Sequence, residues 1–214
     1  MRYSEMVAFE KERALRTRRS TTPSTVTLTR VRSWSQIAVM IVLALLLAGC
    51  ASPEYRDRTV RMTTVGNVDL NRYAGRWYEI ARFPNRFEEG CVGVTADYTL
   101  NADGSVKVVN TCRQGALDGP VEIAEGRAVA ARPEADRLRV SFVEWLPFAA
   151  GDYWILDLDS EYDVAVIGNP SGTTGWVLAR SPRLSQARLE QAFGVLQRNG
   201  YDTRLMTLTA QPDN

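Results

Sequence analysis

The sequence predicts an all-β domain: an antiparallel up-and-down sheet of eight strands closed into a barrel, with one C-terminal α-helix packed outside. Three observations lead there. From Val68 onward, short runs rich in aromatic and β-branched residues recur, each bounded by turn residues. The turns are tight enough for hairpins, and closing the sheet removes edge strands that would stay unpaired. One stretch of helical periodicity follows the strands.

The chain before the domain divides in two. Ile37 to Ala48 is apolar without interruption, and Arg30 and Arg32 precede it. The run is shorter than the roughly 20 residues a membrane span needs. It has the length and basic flank of a signal-peptide core. Residues 1–49 are therefore expected to be a cleaved signal peptide. Arg13, Arg16, Arg18 and Arg19 lie in a long basic N-terminal extension, which is a mis-assigned start or a genuine addition. Residues 50–67 are polar, with five charges between Glu54 and Arg61, and read as a tether.

The strands follow in order. They are expected near 76–83, 92–100, 105–113, 121–131, 137–143, 153–159, 162–168 and 175–180, with a short last strand at 205–208. Asn101-Ala102-Asp103-Gly104 joins the second and third, where Gly104 is free to take positive φ. Asp159-Ser160-Glu161 and Asn169-Pro170-Ser171-Gly172 separate later pairs. The helix begins at Ser185 as N-cap, carries Leu189, Ala192, Phe193 and Leu196 on one stripe, and stops at Gly200. The domain spans 68–210, leaving 211–214 as a tail.

Without residues 1–49 the chain has 165 residues, 18 basic and 22 acidic, a formal charge of −4. It has no dense basic cluster, which argues against a nucleic-acid partner. No histidine is present. That removes Ser-His-Asp and Cys-His nucleophile arrangements and the commonest zinc ligand, so no metal and no cofactor are expected. Of three cysteines, Cys91 and Cys112 flank the hairpin centred between Asn101 and Ala102. Simple antiparallel pairing brings them nearly opposite, within reach of a disulfide. Free thiols are the alternative. Cys91 differs in parity from the inward set, which a bulge, or Cys91 lying just before the strand, would reconcile.

Two motifs carry a resemblance. Leu47-Ala48-Gly49-Cys50 resembles a bacterial lipobox, with an ordinary signal peptide as the alternative. Gly75-Arg76-Trp77-Tyr78-Glu79-Ile80-Ala81-Arg82-Phe83-Pro84, Arg86-Phe87-Glu88 and Thr95-Ala96-Asp97-Tyr98 resemble the bacterial outer-membrane lipocalins and their apolipoprotein D relatives. The resemblance implies that Trp77 sits at the closed end of the barrel, Gly75 two positions before it, with Arg180 over its ring. A guanidinium on an indole contributes roughly 0.5–2 kcal/mol. The family's Thr-Asp-Tyr-like triplet is Ser160-Glu161-Tyr162 here, so Tyr162 alone is kept. Cys50 is implied to carry a lipid anchor with palmitate, and Ala51, not an aspartate, favours the outer membrane, the domain facing the periplasm.

Period-two alternation nominates the cavity wall: Glu79, Ala81, Ala96, Tyr98, Val108, Ala128, Val140, Phe142, Tyr153, Ile155, Val164 and Val166. Small residues at Ala81, Ala96, Ala124, Gly126 and Ala128 favour a hollow interior over a solid core. Trp145-Leu146-Pro147-Phe148 reads as an apolar mouth loop, with Trp145 and Phe148 contacting lipid or a second copy in a homodimer. The expected function is binding: a membrane-anchored carrier holding fatty acids or lysophospholipids for lipid storage or transport in envelope maintenance under stress. The chain is not expected to be an enzyme. The alternatives are an interaction lipoprotein with an empty barrel and, last, a thiol-dependent lipocalin enzyme.

Overall fold

In the computed structural model, residues 53–143 and 150–213 are described. Cys50, Trp145 and Phe148 lie outside them. A short helix α1 (Leu70–Tyr73) leads into β1 (Gly75–Arg82), followed by β2 (Cys91–Leu100), β3 (Val106–Gln114), β4 (Val121–Ala130) and β5 (Arg137–Ser141). Then come β6 (Gly151–Leu158), β7 (Val164–Gly168), β8 (Gly175–Ala179), helix α2 (Gln186–Arg198) and β9 (Thr207–Leu208). Every strand from β2 to β8 pairs antiparallel with its sequence neighbour, and β1 closes the ring by pairing with both β8 and β2. Trp77 faces Ala96 on one side, and Glu79 faces Leu178 on the other. The result is a closed eight-stranded barrel, with β9 added beside β1 at Ala81↔Leu208.

Two apolar clusters hold it together. The inner one contains Trp77, Val108, Leu138, Ile155, Ala165 and Ile167. The outer one lies between the sheet and α2, with Phe83, Leu156, Val164, Val166, Leu189 and Leu196. Ser185 caps α2 by accepting from the Arg188 N–H, and Gly200 follows Asn199 with φ +88°. The helix buries Leu189, Ala192, Val195 and Leu196, the stripe its period requires.

Three placements differ from the inward set. Val164 and Val166 belong to the outer cluster, and Ala165 and Ile167 point inside. All five β7 residues are buried, because α2 covers one face and the barrel interior the other. A strand buried on both faces carries no polar alternation to fix its parity. Ala81 also lies in the outer cluster. The register between β1 and β8 shifts between Glu79 and Ala81, so alternation breaks there.

The expected tether is largely not one. From Pro53 to Asn67 the chain forms a strap along the barrel. The Tyr55 ring stacks on Phe83 at 4.7 Å and its hydroxyl donates to the Pro84 carbonyl at 2.6 Å. Arg56 is buried and donates from Nε to the Asn199 carbonyl at 2.7 Å. Further on, the Val65 N–H donates to the Ile155 carbonyl. The strap's charges misled: Arg56 spends its guanidinium on carbonyls, not on water.

Cys91 and Cys112 form a disulfide, Cα atoms 5.4 Å apart. The β2–β3 register shifts between Val92 and Thr95, where two residues of β2 oppose Cys112 alone. Gly93, at φ +57°, makes that bulge and sets the Cys91 parity.

Candidate functional site

The connections before β1, between β2 and β3, β4 and β5, and β6 and β7 share one end of the barrel. That end is sealed. Trp77 is fully buried, donates from Nε1 to the Tyr73 carbonyl at 2.8 Å, and carries the Arg180 guanidinium 3.9 Å above its ring. Arg180 also donates to the carbonyls of Arg72, Tyr73, Ala74, Arg76 and Tyr162. Gly75, at φ +95°, passes so close that a Cβ would stand 3.3 Å from Arg180 Nη1. Tyr162, itself at φ +62°, accepts the Asp69 N–H on its hydroxyl. These groups satisfy one another and close the floor of the barrel.

Above this floor the barrel is hollow, with a cavity of about 630 Å³. This falls within the roughly 300–1,000 Å³ of small-molecule sites. Val94, Val106, Val108, Ala128, Leu138 and Val140 give it an apolar wall. Three tyrosines meet at depth: the Tyr73 and Tyr153 hydroxyls are 2.7 Å apart, those of Tyr98 and Tyr153 3.1 Å. Burial raises all three, Tyr98 to about 12. They stay neutral and hydrogen-bonded. The Cys91–Cys112 disulfide forms part of the wall, and Trp176, Asn169, Thr173 and Thr174 lie toward the open end.

A small side pocket of about 50 Å³ opens where β1, β2 and β8 meet, lined by Glu79, Ala96, Asn110, Tyr98, Glu88 and Trp176 among others. Glu79 is only 1 % exposed. Its Oε1 accepts from Arg82 Nη1 at 2.5 Å and from the Thr209 hydroxyl. Its Oε2 and Asn110 Oδ1 are buried with no hydrogen-bond partner among the described residues. Burial and the nearby Glu88 carboxylate push Glu79 up to about 8, against the pull of Arg82 and Thr209.

Of the residues nominated from alternation, Tyr98, Val108, Ala128, Val140, Phe142 and Tyr153 line the cavity, and Glu79 and Ala96 line the side pocket. Ile155 faces inward but is packed into the inner cluster, away from the cavity surface. The space left by Gly126 is partly filled: a Cβ there would stand 2.8 Å from the Phe142 ring. Trp176, Glu88, Asn110 and Tyr73 were not nominated. Asn110 is legible in the sequence, since it continues the parity of Val106 and Val108. Tyr73 and Glu88 come from a helix and a turn, where strand periodicity says nothing.

Comparison with known proteins agrees with this geometry. A family model described as a lipocalin-like domain matches residues 68–211. Outer membrane lipoprotein Blc of Escherichia coli (strain K12) is 38% identical over 170 residues, covering 79% of this chain and 92% of that protein. Temperature-induced lipocalin-1 of Arabidopsis thaliana is 37% identical over 159 residues, covering 71% and 84%. Apolipoprotein D of Macaca fascicularis is 34% identical over 173 residues, covering 77% and 84%. Among solved structures, insecticyanin from the tobacco hornworm Manduca sexta superimposes with a TM-score of 0.54 at 21% identity, covering 75% of this chain and 88% of that one.

Proposed function

The chain belongs to the lipocalin family, in the group that includes the bacterial outer membrane lipoproteins and apolipoprotein D, and from that premise we propose that it is a lipid carrier, not an enzyme. Its cargo is an amphipathic lipid, a fatty acid or lysophospholipid, taken up for storage or transport in envelope maintenance under stress. The observation that carries this reading is the hollow barrel: an apolar cavity of about 630 Å³ open at one end. Burying methylenes there returns roughly 0.8 kcal/mol each, which favours a long acyl chain. Polar groups at the rim suit a head group.

The anchor reading agrees with the path of the strap. The Tyr55 N–H donates to the Gly172 carbonyl, on the β7–β8 loop at the open end. A lipid on Cys50, five residues earlier, leaves at most about 18 Å of chain between bilayer and rim. Such a protein sits on the periplasmic face of the outer membrane with its mouth beside the lipid.

Native mass spectrometry tests the proposal on residues 51–214, one compact unit that holds the whole barrel, strap and disulfide. A bound mass matching a fatty acid or lysophospholipid, displaced by added lysolipid, is the expected result. A barrel that stays empty and ignores titrated lysolipid overturns it, and moves the function to an interaction surface.

A further inference from the structure

The lipid-carrier reading leaves open which polar end the cavity accepts, and the charges on its wall bear on that choice. Among the described residues, the lining carries three carboxylates, Glu88, Glu122 and Asp152, and no lysine or arginine. Asp152 pairs with Arg139 at 3.2 Å. Glu122 accepts from the neutral Gln114 Nε2 at 3.0 Å and is exposed, so water screens its charge. Glu88 is half-buried. Its Oε2 accepts only neutral donors, Trp176 Nε1 at 3.1 Å and Asn85 Nδ2 at 2.5 Å, and no ion pair reaches it among the described residues.

Glu88 also borders the side pocket in which Glu79 Oε2 and Asn110 Oδ1 stand buried and, among the described residues, unpartnered. Arg82 makes no contact with the Glu88 carboxylate among the described residues: its guanidinium donates to Glu79, Thr209 and the backbone carbonyls of Glu88 and Cys91. Aromatic rings complete the surroundings: Trp176 stacks on Tyr153 at 6.5 Å, and Phe87 tilts against it at 6.3 Å.

An unneutralised carboxylate beside aromatic faces attracts a cationic nitrogen, and quaternary ammonium groups most of all. The same carboxylate repels a head group that is only anionic. A buried oxygen without a partner is costly, so a polar group arriving from the cargo gains by meeting it. We propose that the cavity selects amphiphiles bearing a cationic nitrogen, held at Glu88 against Trp176 and Tyr153 beside the pocket that ends at Glu79. Two sources share this chemistry: an alkylamine, and a lysophospholipid with a choline or ethanolamine head. Free fatty acids become the weaker cargo.

The test is a titration of residues 51–214, read by calorimetry and tryptophan fluorescence, with dodecyltrimethylammonium, dodecanoate and dodecanol below their micelle concentrations. The cation is expected to bind about tenfold more tightly than dodecanoate. Glu88→Gln keeps the acceptor for Trp176 and should abolish most of that ratio, with dodecanol reporting any general loss of binding. A wild-type protein without cation preference, or a preference that survives Glu88→Gln with dodecanol binding intact, overturns the proposal. If Glu88→Gln also loses dodecanol, the wild-type ratio decides alone. Matched titrations with lysophosphatidylcholine separate the sources: tighter retention than dodecyltrimethylammonium assigns the nitrogen to a phospholipid head group, weaker retention to a simple amine. Binding of dodecanol and dodecanoate with no preference for the cation leaves the carrier reading standing. Failure of every probe to bind removes both.

Discussion

Glu79 shows what a single residue contributes when fold and cavity make opposite demands on it. Its position in β1 aims it inside the barrel, where the charged form is penalised by burial and by Glu88. Arg82 and Thr209 offset part of that by binding Oε1, and Oε2 has no partner among the described residues. With the folded value at about 8 and the ordinary value at 4.5, the native state holds a proton that the unfolded chain has released. Between those values the folded state binds more protons, so stability falls as pH rises. The contribution is complete below about 4.5 and is lost as pH climbs through 8. Urea denaturation at pH 5 and pH 8 is therefore expected to show a loss at the higher pH that shrinks in Glu79→Gln. An equal loss in the variant would place the pH sensitivity elsewhere. Alternation alone put Glu79 inside, but the sequence gives no hint that Thr209, 130 residues away, would share its oxygen.

At the scale of elements, legibility followed the polarity of the two faces. β2, β3 and β5 have one face toward the cavity and one toward water, and the expected inward residues Tyr98, Val108 and Val140 lie on the cavity wall. β7 has no wet face, so nothing in Val164–Gly168 marks which valines look inward. The strap failed for the opposite reason: its charge density resembles that of a linker, yet Tyr55 and Arg56 are buried by contacts with residues far along the chain. Tyr55 bridges Phe83 and the Pro84 carbonyl, and Phe83 stacks in turn on Tyr201 at 5.2 Å. Removing a buried aromatic of this kind costs about 3 kcal/mol. Tyr55→Ala should lower the stability of residues 51–214 by that amount in urea denaturation. A loose tether would tolerate the change within about 0.5 kcal/mol.

At the scale of the molecule, the ends of the barrel divide the work. The sealed end was legible because few residues define it: a glycine two positions before a buried tryptophan, and one arginine after the last long strand. The open end was less so, since its rim is assembled from the β1–β2, β3–β4 and β7–β8 connections, and no single stretch contains the pattern. There the surface is unusually apolar. Phe87 is 68 % exposed and Ile123 63 %, and Val121, Leu117 and Phe142 are exposed as well. Exposed apolar groups gathered at one end mark a contact surface. The strap brings the N-terminal side of the domain to that end as well, through the Tyr55–Gly172 bond. The anchor proposed on Cys50 would then share one face with rim and cavity mouth, and a carrier so arranged would draw lipid from the bilayer without first releasing it to water. Leu117→Ser combined with Val121→Ser leaves the cavity lining intact and should slow transfer of lysolipid out of vesicles several-fold. Equilibrium affinity for the same lipid below its micelle concentration should not change. Transfer at the wild-type rate would mean that lipid reaches the cavity through water, and that the apolar rim serves another contact.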